Sequence, residues 1–165
     1  MKQKECHWMN CSHIEFCTDK TRIDLLQLQE LYKVTAFWAK DRNLDDIEIA
    51  IMNSNPVVSV WDRQRLIGSA RATSDGIYRA TIWDVVIHPD YQGLGLGRKL
   101  VETIISHPLL NRVERVYLTT THQQKFYQKI GFQENSTTTM VLYNRYPTPN
   151  ELVKQSQSEE ITAIV

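Results

Sequence analysis

The chain has 165 residues, enough for one domain with a sizeable core. Hydrophobic residues make up 42% and charged residues 23%, the balance of a soluble globular protein. Lys plus Arg and Asp plus Glu stand at 19 each, so no net field draws the chain to nucleic acid or to an acidic membrane, and neither is expected as a partner.

The first residues, Met1 to Trp8, lack the apolar core of a secretory signal and the Arg/Ser-rich character of a transit peptide. No apolar run approaches the roughly 20 residues of a membrane helix. Cys6, Cys11 and Cys17 make an odd count, as in a reducing cytosol. His7 and His13 lie near them, but the cysteine gaps are too wide for a zinc knuckle and no second pair follows, so no metal is expected. Residues 1–12 read as a flexible arm, 13–146 as the folded domain and 147–165 as a polar, fraying tail.

Within the domain, His13–Thr18 reads as a short strand. Asp19 or Thr21 is expected to cap a helix whose apolar face carries Leu25, Leu28, Leu31 and Tyr32. A second helix follows Asn43, with Leu44, Ile47 and Ile51 as its stripe, and Pro56 closes it. The period then changes. Val57–Trp61 and Leu66–Ala72 read as strands joined by a polar turn, and a turn at Ser74-Asp75-Gly76 leads to a third strand, Thr81–Ile87. That strand is apolar on both faces except at Asp84, as in the centre of a sheet. A glycine-rich loop opens a helix through Leu96, Leu100 and Ile104 that stops before Pro108. Val113–Thr119 is a further strand, and Gln123–Lys129 a short helix closed by Gly131. Phe132 and Thr139–Tyr143 supply the last strands. The fold class is α+β, a mixed, mostly antiparallel sheet flanked by about four helices.

The loop Gln92-Gly93-Leu94-Gly95-Leu96-Gly97 follows a buried strand and opens a helix. Backbone N–H groups in such a place converge on one point, and the helix dipole adds about half a positive charge. Glycines let an anion approach without interference from a Cβ. The expected ligand is a phosphate or pyrophosphate, with Arg98 and Lys99 adding charge. A Walker loop is excluded because Arg98 stands five residues after Gly93, and a dinucleotide fingerprint because Arg98 stands three after Gly95. The spacing that remains is Gln-x-x-Gly-x-Gly at Gln92, Gly95 and Gly97.

Preceded by Val85-Val86-Ile87-His88-Pro89, this spacing resembles motif A of the GNAT superfamily of N-acetyltransferases; Phe126-Tyr127-x-Lys129-x-Gly131-Phe132 resembles its motif B. Ala70–Asp75 and Ala80–Val85 are similar to the plastid and cyanobacterial branch, which includes plant serotonin N-acetyltransferases and plastid protein acetyltransferases. The resemblance implies a GNAT-like fold and acetyl-CoA as co-substrate. It implies that the backbone of Val85, Val86 and Ile87 pairs with pantetheine like an added strand, with a bulge aiming one N–H at the acetyl carbonyl. Gln92, Gly93, Leu94, Gly95, Leu96, Gly97, Arg98 and Lys99 would hold the pyrophosphate, and Tyr127 would protonate the departing thiolate. Many relatives carry an Asn in contact with the cofactor where Thr120 and Thr121 stand here, and a threonine hydroxyl is expected in its place. The same likeness implies a cytoplasmic protein of a bacterium or cyanobacterium, or one of the plastid stroma if organelle-encoded.

Acetyl transfer needs a neutral amine, yet an alkyl amine titrates near ~10.4, so a base is useful. Asp84 is the only ionisable group in Thr81–Ile87, and burial there would raise its pKa toward a useful range. Its alternative role is to fix a neighbouring strand through hydrogen bonds. Tyr91, one residue before the loop, is a candidate proton relay; His88 and His122 are weaker ones. With no Ser-His-Asp or Cys-His arrangement evident, direct transfer in a ternary complex is expected.

In the GNAT fold the acceptor usually enters between the first two helices and the sheet. Phe37 and Trp38 fall between those helices, and Trp61, Tyr78 and Trp83 lie on or beside the sheet. Phe37, Trp38 and Trp83 are taken as the acceptor's lining, suited to an arylalkylamine such as serotonin or tryptamine; core packing is the competing reading of each aromatic. The alternatives are acetylation of protein lysines or N-termini, and a non-catalytic acetyl-CoA-binding regulatory module. A monomer or homodimer is expected, with a small-molecule or protein amine as partner.

Overall fold

The computed structural model describes residues 13–135 and 139–140. The chain divides into two compact units, Met1–Gln123 and Gln124–Val165. The first carries strands β1 (Ile14–Cys17), β2 (Val57–Asp62), β3 (Arg65–Ser74), β4 (Arg79–Ile87) and β5 (Arg115–Tyr117) and helices α1 (Leu25–Thr35), α2 (Leu44–Met52) and α3 (Leu96–Ser106). The second carries α4 (Gln124–Gln128).

The five strands form one sheet in the order β1-β2-β3-β4-β5. The first three pairings are antiparallel, and β4 pairs with β5 in parallel after the crossover through α3. Mixed, mostly antiparallel strands and four α-helices among the described residues match the expected class. Leu28, Leu31 and Tyr32 of α1 and Ile47 and Ile51 of α2 pack with Val57, Trp61, Leu66 and Val86 of the sheet in one buried cluster. Leu96, Leu100, Val101 and Ile104 are the buried stripe of α3, which packs on β2, β3 and β4. Gly68 is needed where β2, β3 and β4 meet: a Cβ there would stand 3.1 Å from the Val86 carbonyl oxygen and 3.2 Å from the Val60 Cβ.

Local signals set most boundaries. The Asn43 side chain accepts from the Asp46 N–H at 2.8 Å and starts α2 as expected. The cap of α1 is Asp24, whose carboxylate accepts from Leu26 and Gln27; Asp19 closes a short 3-10 turn over Lys20–Arg22 instead. Asp75 Oδ1 accepts from the N–H groups of Ile77, Tyr78 and Arg79, which fixes the β3–β4 turn. Gly131, at φ +108, ends α4: its N–H reaches the Gln128 carbonyl at 3.0 Å and that of Phe132 reaches Tyr127 at 3.1 Å, the paired bonds of a Schellman closure.

Three expectations are corrected. β5 covers Arg115–Tyr117 rather than Val113–Thr119, because its ladder with β4 stops at Thr81↔Tyr117. Phe132 is not in a strand; its N–H is taken by the helix closure. Thr139 and Met140 carry no regular structure, and 141–143 lie outside the described residues, as do the proposed arm and tail, with Cys6, Cys11 and His7.

Candidate active site

The centre of the site is a break in β4. Gly68 pairs with Ile87 and Ser69 with Val86, and the register resumes with Arg71 opposite Trp83. Asp84 and Val85 therefore oppose Ala70 alone, which makes a β-bulge. Asp84 takes φ +51, a left-handed conformation that costs an L-residue roughly 1–2 kcal/mol. The bulge overrides strict alternation and brings the Asp84 side chain toward α1. Its Oδ2 accepts from Arg71 Nε and from Arg42 Nη1, each at 2.8 Å, and its Oδ1 lies 3.4 Å from Trp38 Nε1. The carboxylate is 5% exposed.

This environment overturns the reading of Asp84 as a burial-raised base. Burial is the largest single influence and does raise its pKa, but the Arg42 and Arg71 guanidinium groups together outweigh it and hold the carboxyl below its ordinary range. Asp84 is an ionised, fully engaged carboxylate with little tendency to take a proton near neutral pH. Bonding a neighbouring strand, its alternative role, is what the geometry shows.

Beyond the bulge, β4 keeps β3 on one side. On the other, among the described residues, no strand pairs with it from Asp84 to Ile87. The unpaired edge is the kind to which an extended ligand adds. It runs into a 3-10 turn, Pro89–Tyr91, and then the glycine loop. Gln92 Nε2 donates to the Ile87 carbonyl at 3.0 Å and fastens the loop to the strand end. Gly93 and Gly95 hold φ +79 and +78, and no heavy atom lies within 4 Å of where a Cβ would stand on either. Gly95 is the N-cap of α3 and supplies no side-chain acceptor, so the first-turn N–H groups have no side-chain cap from it. The charges expected to help have other partners: Arg98 Nε donates to Glu102 at 2.7 Å, and the Lys99 ammonium lies 4.6 Å from the Phe16 ring centre. The cradle is thus chiefly backbone.

The remaining candidates are placed as follows. The Tyr91 hydroxyl donates to Asp62 Oδ2 at 2.6 Å, with the Arg65 guanidinium over its ring. The bond to Asp62, then burial, push its pKa up. Tyr91 therefore anchors the 3-10 turn to the end of β2. Thr120 Oγ1 accepts from the Gln123 N–H at 3.1 Å and shapes the segment after β5; Thr121 is its neighbour there. In the second unit, the Tyr127 ring meets those of Phe126 and Phe132 edge-on, and burial pushes its phenol up. A phenol so placed keeps its proton at neutral pH.

The aromatics divide. Trp61 is core, 6% exposed, with its Nε1 on Ser59. Phe37, Trp38 and Trp83 are 46%, 52% and 40% exposed, far more than core packing allows. Phe37 and Trp38 meet edge to face at 5.0 Å in the α1–α2 connection. Trp83 lies under the Arg71 guanidinium and bonds Thr73 Oγ1 at 2.9 Å. Trp38 and Trp83 thus flank the Asp84–Arg71 pair. Beside that pair is a cavity of about 180 Å³, lined by Tyr32, Arg42, Ile47, Ile51, Arg71 and Asp84. Tyr78, 61% exposed, belongs to the β3–β4 turn.

Arg42, Arg71 and Tyr32 were not among the expected site residues. One signal was available: Arg71 is the lone charge within Leu66–Ala72 and Asp84 the lone charge within Thr81–Ile87, and a buried charge calls for a partner. Arg42 gives no such signal, since it sits in a polar connection where a solvated cation is unremarkable.

A model of the Acetyltransferase (GNAT) family matches residues 25–132, from the start of α1 to four residues past the end of α4. The chain is 37% identical over 136 residues to the uncharacterized N-acetyltransferase ycf52 of Pyropia yezoensis, covering 74% of each. It is 37% identical over 123 residues to the histone acetyltransferase TAP1 of Glycine max, covering 67% of this chain and 52% of that protein. Among solved structures, a putative acetyltransferase of the GNAT family from Xanthomonas campestris pv. campestris superposes with a TM-score of 0.69 at 27% identity, covering 79% of this chain and 94% of the other. With the bulged central strand and the glycine-opened helix, these matches establish that the chain belongs to the GNAT family and is an N-acetyltransferase.

Proposed function

We propose that this N-acetyltransferase moves the acetyl group directly from acetyl-CoA to a primary amine that carries an aromatic ring, an arylalkylamine such as serotonin or tryptamine. The observation that carries the acceptor half is the exposure of Phe37, Trp38 and Trp83 around the β4 bulge. Three large aromatics left about half in solvent are surface that a ring would cover.

GNAT acetyltransferases take their acetyl group from acetyl-CoA, and the residues present here suit it. The unpaired edge Val85–Ile87 offers backbone donors and acceptors to a pantetheine amide. The uncapped start of α3 offers N–H groups to a pyrophosphate, and Thr120 and Thr121 take the place of the Asn of many relatives. The amine nitrogen forms its bond to the acetyl carbon as the carbon–sulfur bond breaks. Tyr127 then gives its phenolic proton to the sulfur, a role that fits a phenol held protonated by burial. Because Asp84 is engaged by two arginines, the amine's own proton leaves to solvent rather than to that carboxylate.

A second reading, acetylation of lysine or N-terminal amines of proteins, is favoured by the likeness to a protein named a histone acetyltransferase. Phe37→Ala separates the two. Phe37 makes no hydrogen bond through its side chain, so its truncation removes ring surface and the edge-to-face contact with Trp38 without breaking a polar contact. The KM for tryptamine is expected to rise about tenfold, the ~1.4 kcal/mol of one aromatic contact, with kcat within about threefold and the KM of a lysine peptide unchanged. An equal loss toward both acceptors, or none, contradicts the aromatic subsite.

A further inference from the structure

The Asp84 carboxylate joins two parts of the molecule that serve the two substrates. We propose that Asp84 is a positioning residue: with Arg42 and Arg71 it forms an ionic latch that ties the acceptor-side connection between α1 and α2 to the bulge of β4. The inference rests on the acceptor reading above.

Three donors converge on one nearly inaccessible carboxylate. Arg71 comes from β3, where it stands opposite Trp83. Arg42 and Trp38 both come from the connection 36–43, the segment that presents Phe37 and Trp38. Arg71 is itself oriented, since its Nη1 donates to Ser54 Oγ at 3.1 Å beyond the end of α2. The Tyr32 ring lies 5.7 Å from the Arg42 guanidinium and supports it, and Asp46 lines the same cavity. Among the described residues, Arg63 and Asp84 are the two non-glycine positions with positive φ, and Arg63 lies in the exposed β2–β3 turn. At Asp84 the strain sits inside a central strand, where it persists only if surrounding contacts hold it. The three donors are those contacts. Losing any one of them frees the aromatic ledge relative to the strand edge, so the amine meets the acetyl group in fewer productive orientations.

The test compares Asp84→Asn, Arg42→Met, Arg42→Lys and the double variant Asp84→Asn/Arg42→Met in the full-length protein. Asn tolerates the left-handed conformation as Asp does, so Asp84→Asn removes charge without forcing a new backbone. Arg42 is one-third exposed and bonds through a single nitrogen, so its truncation is mild and Lys can replace it. Asp84→Asn and Arg42→Met are each expected to raise the acceptor KM about tenfold, and the double variant no further, since one broken latch is already broken. Arg42→Lys should recover most of that loss, the KM for acetyl-CoA should stay within about twofold in all four, and the acidic limb of the kcat–pH profile should not move in Asp84→Asn. Additive losses, or an acidic limb displaced in Asp84→Asn at unchanged KM, overturn the latch; the latter result makes Asp84 a base. The indole ¹H–¹⁵N signal of Trp38 supplies a readout without substrate: it should shift in Arg42→Met, and an unmoved signal also overturns the proposal. If the wild type acetylates no aromatic amine, the acceptor reading fails while this signal still decides the latch.

Discussion

Gly95→Val is expected to abolish measurable acetyl-CoA binding in a protein that still folds. Two effects operate at this position. Gly95 holds φ +78, so any side chain brings roughly 1–2 kcal/mol of backbone strain, a loss that a domain of this size tolerates. The second effect is decisive. A Cβ there meets no protein atom within 4 Å, so the two methyl groups of valine occupy open space directly before the first N–H groups of α3. A pyrophosphate held by this loop would come close there, while Arg98 and Lys99 already have Glu102 and Phe16 as partners. Gly76 provides the control. It has φ +79 and equally open surroundings, but sits in the β3–β4 turn. Gly76→Val should lower the thermal midpoint about as much as Gly95→Val and bind acetyl-CoA with unchanged affinity. Titration calorimetry on the pair separates strain from blockage. Unaltered binding by Gly95→Val contradicts the assignment of the loop.

Tyr127→Phe is expected to lower kcat by about a hundredfold, the lower end of what a positioned general acid contributes, while acetyl-CoA affinity stays within about twofold. Phenylalanine keeps the ring that meets Phe126 and Phe132 and removes only the hydroxyl, so the fold of the second unit should survive. Burial raises the Tyr127 pKa above its ordinary value of 10.0. The alkaline limb of the wild-type profile, where the acid is lost, therefore belongs above that pH unless another group titrates first. A hundredfold loss of affinity with unchanged kcat would make Tyr127 a binding or packing residue.

These residues differ in how plainly the chain announces them. The glycine loop was legible because its constraint is local: three glycines at fixed spacing, a strand before and a helix after, leave few ligands that fit. Asn43 as a cap, the turn at Asp75 and the closure at Gly131 were legible for the same reason, each being set by neighbours within a few positions. Asp84 shows where such reasoning ends. That it is buried could be read from the apolar residues around it. The direction of its pKa shift could not, because it depends on Arg42, 42 positions earlier, and Arg71, 13 earlier, which only the sheet and the α1–α2 connection bring to it. The left-handed turn that aims its side chain has no marker either, since the residue there is not glycine. The aromatics were legible as a set and not singly: nothing in the chain distinguishes buried Trp61 from half-exposed Trp38 and Trp83. The length of β5 depends on where β4 ceases to offer it an edge, which local pattern does not carry.

The proposed acceptor is an aromatic primary amine. The most direct measurement is release of the CoA thiol at saturating acetyl-CoA with serotonin, tryptamine, an aliphatic amine of equal chain length, a lysine peptide and a free peptide N-terminus as acceptors. The two indoleamines are expected to give the highest kcat/KM, by about tenfold or more over the aliphatic amine. Faster turnover of the lysine peptide or the peptide N-terminus than of either indoleamine would contradict it.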